Sequence, residues 1–335
     1  MTIALRTRKM LWARSANRCA FDGCRDELVH DVDGVGVTVV GEEAHVVARE
    51  AQGPRGNDEL PLDLRDEYEN LILLCSKHHK IIDDHPGTYT VPLLRDMKAR
   101  HLAWAASIET PEDEALRRDS ERYASYVDEW TRCAQLDQWD GALGRLCSHG
   151  HPSLRRDTYD SLAELRGWLL SRVWPRRYPV LEDAFENFRK VLNDLIAVFA
   201  SDLEDREDGD VLWIRKTYQG LPWNPELYEQ RLNEFNDHVD LIEDLTLELT
   251  RAANLLCDRT REFIDPSYRI EEGIVLISAG PMLNFNWETY RVEYAPDQRE
   301  GTPYPGVAEF AEAVRFTRDV YFGSRPPDAS SARVN

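Results

Sequence analysis

Four residues of metal-ligating type form two pairs within the first eighty positions. Cys19 and Cys24 are separated by four residues, and Cys75 and His78 by two. Thiolates and an imidazole with such spacings are the usual ligands of a tetrahedral structural zinc ion, and the Asp-Gly dipeptide between the first two cysteines favours the turn that lets them converge. The sequence therefore predicts a Cys3His zinc site in the form of a zinc knuckle.

A second set of polar residues, His45, Asn70 and His79, falls among these ligands. His78 and His79 are adjacent, so either one can serve the zinc ion, and the two-residue spacing from the preceding cysteine favours His78. His79 then stands four residues before Asp83, which brings both side chains to one face of a helix. The alternative for Asp83 is a solvated helix position that belongs to no site.

The local patterns predict the elements that must position these residues. Residues 42–48 alternate as a strand in which Glu43 and His45 share one face while Ala44 lies on the other. The apolar run 71–74 leads into the helix that contains His79, and a Pro-Gly pair ends that helix. Further predictions are a helix over 7–17, a strand over 35–41 and a flexible loop over 51–58.

Residues from about 8 to 104 resemble an HNH nuclease domain, which is the ββα-metal fold, here with an added zinc knuckle. The resemblance is carried by the strand EEAHVVAR, the approach YENLILLC and the helix start CSKHHKIID, in which His45, Asn70 and His79 follow the order of the family. The segments GEEAHVVARE, GPRG and HHKIIDDHP are most similar to HNH effectors of bacterial antiphage defence systems such as CBASS. The resemblance covers under a third of the chain.

The resemblance implies metal-dependent hydrolysis of DNA phosphodiester bonds. A neutral imidazole is a suitable general base for a water molecule, and this role falls to His45. His79 would bind a catalytic divalent cation, either Mg²⁺ or a transition metal. Asn70 would brace the loop that aims His45, through hydrogen bonds to the backbone. The implied partner is DNA, taken as double-stranded.

The chain departs from the family at Ala44, where many HNH domains have an Asp or His as a second ligand of the catalytic cation. Asp83 is the first candidate to replace it, because of its spacing from His79, and Glu43 is the second. If neither carboxylate reaches the cation, metal affinity and activity are low. A non-catalytic zinc module that binds nucleic acid or protein then becomes the alternative interpretation.

The net charge of −20 lies mainly in the second part of the chain. Residues 1–108 carry 14 Lys and Arg against 17 Asp and Glu, and the remaining residues carry 27 against 44. Basic clusters over 6–18 and 95–100 are compatible with contact to DNA phosphates. Six unevenly spaced cysteines without a signal-peptide pattern predict a reducing, cytoplasmic setting, and no apolar run is long enough to cross a bilayer.

Residues 109–335 are predicted to be mostly α-helical with a small β-hairpin, so that the fold class of the whole chain is α+β. We expect an HNH domain over 1–108, a helical connector over 109–150, a regulatory, sensor or oligomerisation domain over 151–323, and a disordered tail over 324–335. Helices are predicted over 160–173, 180–203, 225–263 and 307–321. The strands of the hairpin are predicted over 268–278 and 283–294, with 210–218 as a third strand.

The longest predicted helix, 225–263, carries apolar residues at alternating gaps of three and four, and Asn224 and Pro225 signal its start. This seam fits either an intramolecular bundle or a homodimer or higher oligomer, and the number of other helices in the chain favours the bundle. The seam consists of Leu232, Phe235, Val239, Ile242, Thr246, Leu249, Ala253 and Leu256.

Three interpretations of function remain open. The first is a regulated HNH DNA endonuclease of antiphage defence, in which residues 109–335 respond to an activating ligand or protein, because an unregulated DNase is toxic to its host. The second is the non-catalytic zinc module. The third is an HNH nuclease of restriction or DNA processing.

Overall fold

The computed structural model describes residues 3–32, 36–57, 59–148, 151–204, 209–220, 222, 224–280, 287–314 and 317. The chain divides into two compact units, Met1–Asp128 and Glu129–Asn335. Both helices and small sheets are present, in agreement with the predicted α+β class. None of the helices in the described ranges combines the length and the apolar character that a membrane span requires.

The first unit contains two antiparallel strand pairs and the helices around them. β1 pairs with β2, and β3 pairs with β4 in a register that sets His45 opposite Leu71. β1 was not predicted, because its segment is polar in sequence. The elements in chain order are α1 (Leu5–Arg14), β1 (Val29–Val32), β2 (Gly36–Val39), β3 (Gly41–His45), β4 (Leu71–Cys75), α2 (Ser76–Asp84) and α3 (Val91–Ile108).

Helix α1 begins two residues before its predicted start and ends three residues before its predicted end. Ala16 and Asn17 have φ values of 52° and 53°, which is the left-handed region that a right-handed helix cannot include. The chain therefore turns at this point and enters the loop that carries the first two cysteines.

The register of β3 against β4 is fixed by burial. The apolar run of β4, Leu71 to Leu74, is fully buried, and Ala44 of β3 is buried with it. A slip of one residue would move His45 into the core and Ala44 out of it, because successive strand residues point to opposite faces. The small side chain at position 44 is therefore part of the same core, to which Leu11, Ile82 and Leu94 contribute from α1, α2 and α3.

The second unit is mainly helical and contains two further small sheets. Helix α4 (Pro111–Cys133) begins in the first unit and extends into the second, so the unit boundary falls within a helix. The remaining elements are α5 (Trp139–Leu143), β5 (Ser153–Arg155), α6 (Arg156–Leu170), α7 (Pro179–Ala200), β6 (Leu203–Glu204), β7 (Val211–Ile214), α8 (Pro225–Phe263), β8 (Ile277–Ala279), β9 (Glu288–Tyr290) and α9 (Val307–Val314).

The strands of the second unit differ in part from the prediction. β8 and β9 pair antiparallel where the hairpin is predicted, but over only three residues each. The segment predicted as a third strand of that hairpin forms β7 and pairs instead with β5 and β6 in a separate sheet. The predicted tail 324–335 and most of the predicted end of the last helix lie outside the described residues.

Helix α8 has the predicted bounds, and the side chain of Asn224 accepts a hydrogen bond from the amide of Leu227 as its cap. Its middle, residues 242–257, is buried on every side and not only along the predicted seam. Seven of the eight seam residues are buried within the chain itself and Leu232 is half-buried, which is the packing that the bundle interpretation requires. The buried carboxylate of Glu248 is paired here, since it accepts hydrogen bonds from Arg251 and from Tyr294, and burial raises the pKa of this carboxyl.

Asn254 links α8 to two other segments and provides a test of this packing. Its side chain binds the backbone amide and carbonyl of Val275 and the carbonyl of Val292, and all three contacts are buried. Asn254→Ala leaves these groups unpaired, so we expect urea denaturation to give a free energy of unfolding lower by about 2–4 kcal/mol. Asn233→Ala, at an exposed position of the same helix, should change it by less than about 0.5 kcal/mol. Equal effects of the two substitutions would contradict this role.

Candidate metal centre and active site

The four residues of the predicted knuckle converge. The candidate ligand atoms of Cys19, Cys24, Cys75 and His78 all lie within 4.8 Å of one another. The Nδ1 atom of His78 is 3.1 Å from the sulfur of Cys75 and 3.6 Å from that of Cys19. Tetrahedral zinc with bonds of about 2.0–2.3 Å brings its ligand atoms to roughly such separations. The cluster can therefore hold a metal ion such as zinc.

The electrostatics of the cluster suit a bound cation. Burial raises the pKa of the Cys19 thiol to about 12 and also raises the pKa of Cys24, so thiolates here need a positive charge beside them. Burial lowers the pKa of His78, which favours the neutral imidazole that a metal requires. The ring of Phe21 stacks on His78 with a centroid distance of 4.0 Å and fixes its orientation.

A metal in this cluster would join three parts of the first unit. Two ligands come from the loop between α1 and β1, one is the last residue of β4, and one lies in the first turn of α2. The amide of Cys75 also donates to the sulfur of Cys19 at 3.3 Å. The end of β4 and the start of α2 are therefore held at one point, close in sequence to His79.

His45 is the last residue of β3, and its side chain contacts a carboxylate from the following loop. The Nε2 atom of His45 lies 2.9 Å from Oδ1 of Asp66, and each side chain is 24% exposed. The other oxygen of Asp66 lies 3.5 Å from Nε of Arg49. The histidine thus has a defined orientation and remains accessible to solvent.

Asn70 lies at the other end of the same loop and is almost completely buried. Its Oδ1 atom accepts from the amide of Val47, and its Nδ2 atom donates to the carbonyls of Val47 and Arg65. These bonds connect the chain just after β3 to the chain just before β4. The resemblance to HNH domains implies such hydrogen bonds from Asn70 to the backbone of this loop.

Two buried guanidinium groups organise the interior of the loop. Arg65 donates to the carbonyls of Ala48, Arg49, Gly56 and Leu60. The other group belongs to Arg55, which donates to the carbonyls of His45, Val46 and Ile82 and pairs with Asp83 at 2.7 Å. The segment 51–58, predicted as a flexible loop, is therefore tied to β3 and α2 through Arg55.

Position 56, directly after Arg55, requires a glycine. A Cβ atom at Gly56 would lie 2.2 Å from the carbonyl oxygen of Glu50 and 2.7 Å from that of Ala51. Both are backbone atoms, so they cannot move aside as a side chain could. The backbone at Gly56 therefore packs directly against the backbone of Glu50 and Ala51, and Arg65 binds the Gly56 carbonyl at the same place.

His79 lies between two carboxylates, only one of which is predicted from the sequence. Its Nε2 atom is 3.3 Å from Asp83, the residue predicted as its partner. Its Nδ1 atom is 2.5 Å from Oε2 of Glu42. The second predicted candidate, Glu43, instead accepts from the indole of Trp12 at 2.6 Å. Strand alternation explains the difference, because Glu42 shares a face with Ala44 and Glu43 does not.

One guanidinium nitrogen connects the two predicted catalytic histidines. The Nη2 atom of Arg55 contacts the backbone carbonyl of His45 at 3.3 Å and the carboxylate of Asp83 at 2.7 Å, and Asp83 in turn contacts His79. The end of β3 and the C-terminal end of α2 are therefore held side by side. Sequence spacing could not indicate this link, since Arg55 comes from the intervening loop.

The basic clusters of the first unit are largely paired with acidic groups. Lys98 is buried, and burial lowers its pKa to about 8. Its ammonium group lies 3.8 Å from the ring centre of Tyr68. Contact of these clusters with DNA stays a prediction. The ion pairs are Arg8 with Glu43, Arg14 with Glu121, Arg18 with Glu27, and Arg100 with Asp22.

Neither a known protein-family model nor a curated protein matches this chain. Its function must therefore be inferred from its own residues and their geometry.

The metal centre leads to a direct test. We expect the purified protein to contain one equivalent of tightly bound zinc, and Cys75→Ser to lose it, because three ligands bind zinc far more weakly than four. Zinc is measured by mass spectrometry of the desalted protein, and the loss should lower the unfolding temperature of the first unit. Cys133→Ser removes a buried cysteine outside the cluster and should leave the zinc content unchanged. Equal zinc contents in the two variants would exclude this cluster as the zinc site.

Proposed function

We propose that the first unit is a metal-dependent HNH endonuclease that hydrolyses phosphodiester bonds of DNA. The observation that carries the proposal is the sequence β3, loop, β4, α2, with His45 at the end of β3 and His79 in α2, linked through Arg55. Hydrolysis of a phosphodiester needs a general base for water and a cation near the phosphate. The two histidines can supply the base and a ligand for the cation.

In this proposal His45 is the general base. Its neutral imidazole removes a proton from a water molecule, and the water oxygen bonds to phosphorus as the bond from phosphorus to the leaving oxygen breaks. The leaving oxygen takes a proton from a solvent water molecule and departs as an alcohol, and the proton on the imidazole is later released to solvent. His45 is suited to this task because it is partly exposed and its ring is oriented by a hydrogen bond.

The cation ligands in this proposal are His79 and Glu42. Asp83 is already bound by Arg55 and contacts the opposite nitrogen of His79. Histidines that bind metals commonly donate their second ring N–H to a carboxylate, and Asp83 has the position for that role. Glu42 is about half exposed and faces Nδ1. A divalent cation such as Mg²⁺, bound here, would stabilise negative charge on the phosphate and on the leaving oxygen.

The alternative is a zinc-stabilised module without catalytic activity. It is favoured by the contacts of His79, both of whose ring nitrogens face carboxylates within this chain, and by Ala44 at the usual ligand position. Such a module would still need the Cys3His cluster for folding. It would not need His45 or His79.

We infer that the second unit regulates the nuclease. Residues 129–335 carry 24 Lys and Arg against 37 Asp and Glu, and this negative charge repels DNA and would slow, without abolishing, cleavage by the first unit in the resting state. An activating ligand or protein, or assembly into a homodimer, would relieve this effect. A role as an effector of antiphage defence is supported by the resemblance of the first-unit motifs, and an HNH nuclease of restriction or DNA processing is the alternative within the same chemistry.

Cleavage assays separate the nuclease from the non-catalytic module. With Mg²⁺ or Mn²⁺, we expect the full-length protein to nick or linearise plasmid DNA, and EDTA to stop the reaction. His45→Ala should reduce the rate by about 10²- to 10⁴-fold, because the general base is lost. His79→Ala should reduce it by a comparable factor at low metal concentration. His85→Ala, at an exposed position just after α2, is the matched control and should cleave normally.

An absence of metal-dependent cleavage under all these conditions, or equal rates for His45→Ala and His85→Ala, would support the non-catalytic module instead. Zinc content serves as the control for folding in each variant.

A further inference from the structure

A carboxylate that no sequence pattern indicates is bonded to the proposed general base. We propose that Asp66 is the positioning residue of His45, and that it holds the ring with its hydrogen on Nε2 and its lone pair on Nδ1, the nitrogen that takes the proton from water. This inference rests on the proposed nuclease function. It goes beyond it by naming the nitrogen that acts and the side chain that selects it.

The contact itself defines the tautomer. An ionised carboxylate can only accept hydrogen bonds, so the hydrogen between Oδ1 of Asp66 and Nε2 of His45, 2.9 Å apart, belongs to the histidine. In a neutral imidazole, Nδ1 then carries the lone pair. Within the described part of the chain, Nδ1 of His45 makes no hydrogen bond, and it is not among the buried polar atoms that lack a partner. It is thus free to accept from water.

Hydrogen bonds and burial fix the backbone next to both His45 and Asp66. The carbonyl of His45 accepts from Arg55, and its neighbour Ala44 is buried in the core. Asp66 follows Arg65, whose guanidinium binds four carbonyls and whose own carbonyl accepts from Asn70. A catalytic side chain held in this way needs no reorganisation before it reacts. Asn70 binds the carbonyl of Arg65, which is the residue before Asp66, and therefore influences the geometry of His45 indirectly.

The same contact stabilises the charged state that forms during the reaction. When Nδ1 takes a proton, the imidazole becomes an imidazolium, and the carboxylate of Asp66 lies directly on its other nitrogen. Arg49 is 3.5 Å from the second oxygen of Asp66 and helps to keep the carboxylate in place. A carboxylate that merely closed the loop would not need to face the ring.

The first experiment is a double-mutant cycle on the full-length protein, with cleavage rates measured at saturating Mn²⁺. We expect Asp66→Ala to lower kcat by on the order of 10- to 100-fold with little change in KM, and Asp66→Glu to recover part of the loss. In the His45→Ala background, Asp66→Ala should have no further effect, because it acts only through that ring. Asp63→Ala removes an exposed carboxylate from the same loop and is the matched control.

A second measurement does not depend on activity. Two-bond ¹H–¹⁵N NMR spectra of histidine-labelled protein distinguish the two tautomers, and His45→Ala assigns the signal among the nine histidines. We expect the Nε2–H form of His45 in the wild type and a mixture of forms in Asp66→Ala.

These outcomes distinguish the positioning role of Asp66 from the catalytic role of His45. If the wild type cleaves DNA, His45→Ala does not, and Asp66→Ala retains the full kcat, only the positioning role is overturned. Additive losses in the cycle, or the Nδ1–H tautomer in the wild type, overturn it as well. If His45→Ala cleaves as fast as the wild type, the proposed function of His45 falls, and the role of Asp66 with it.

Discussion

Two buried arginines, Arg55 and Arg65, hold the loop between β3 and β4, and the candidate active site depends on them. Together they donate to seven backbone carbonyls, from His45 to Ile82. Backbone groups of a loop this long would otherwise need water, and a fully hydrated loop could not hold a side chain in one orientation. Many residues of the loop are exposed, but its inner carbonyls are paired with the two guanidinium groups, and the loop brings Asp66 and Asn70 to the end of β3.

The two proposed metal roles are structurally distinct. The Cys3His cluster fixes where β4 ends and where α2 begins. A metal bound there would influence the position of His79, and in the proposed function it would not contact the substrate. The second, proposed cation would lie where Glu42 of β3 meets α2, and there the chain offers an imidazole and carboxylates in place of thiolates. Hard cations such as Mg²⁺ prefer oxygen ligands, whereas zinc binds well to sulfur, so the two sites would select different ions.

The sequence predicts those features that depend on spacing along one element. The paired cysteines, the i, i+4 relation of His79 and Asp83, and the capped start of α8 are features of this kind, and each has the expected geometry. Contacts that depend on how a loop returns to a strand could not be predicted. Asp66 meets His45 only because the loop folds back, and Glu42 was passed over although strand alternation places it on the side of Ala44. The buried charges in the middle of α8 are not predictable either, because acidic residues on a helix usually belong to its solvated face.

In the proposed mechanism, His45 and a cation at His79 act on one phosphate. The most direct measurement is a crystal structure with Mn²⁺ and a DNA duplex, with anomalous data at the zinc and manganese edges. We predict zinc at the Cys3His cluster, manganese bound by His79 and Glu42, and a phosphate between that ion and Nδ1 of His45. Manganese bound elsewhere, or DNA bound away from His45, would contradict this mechanism.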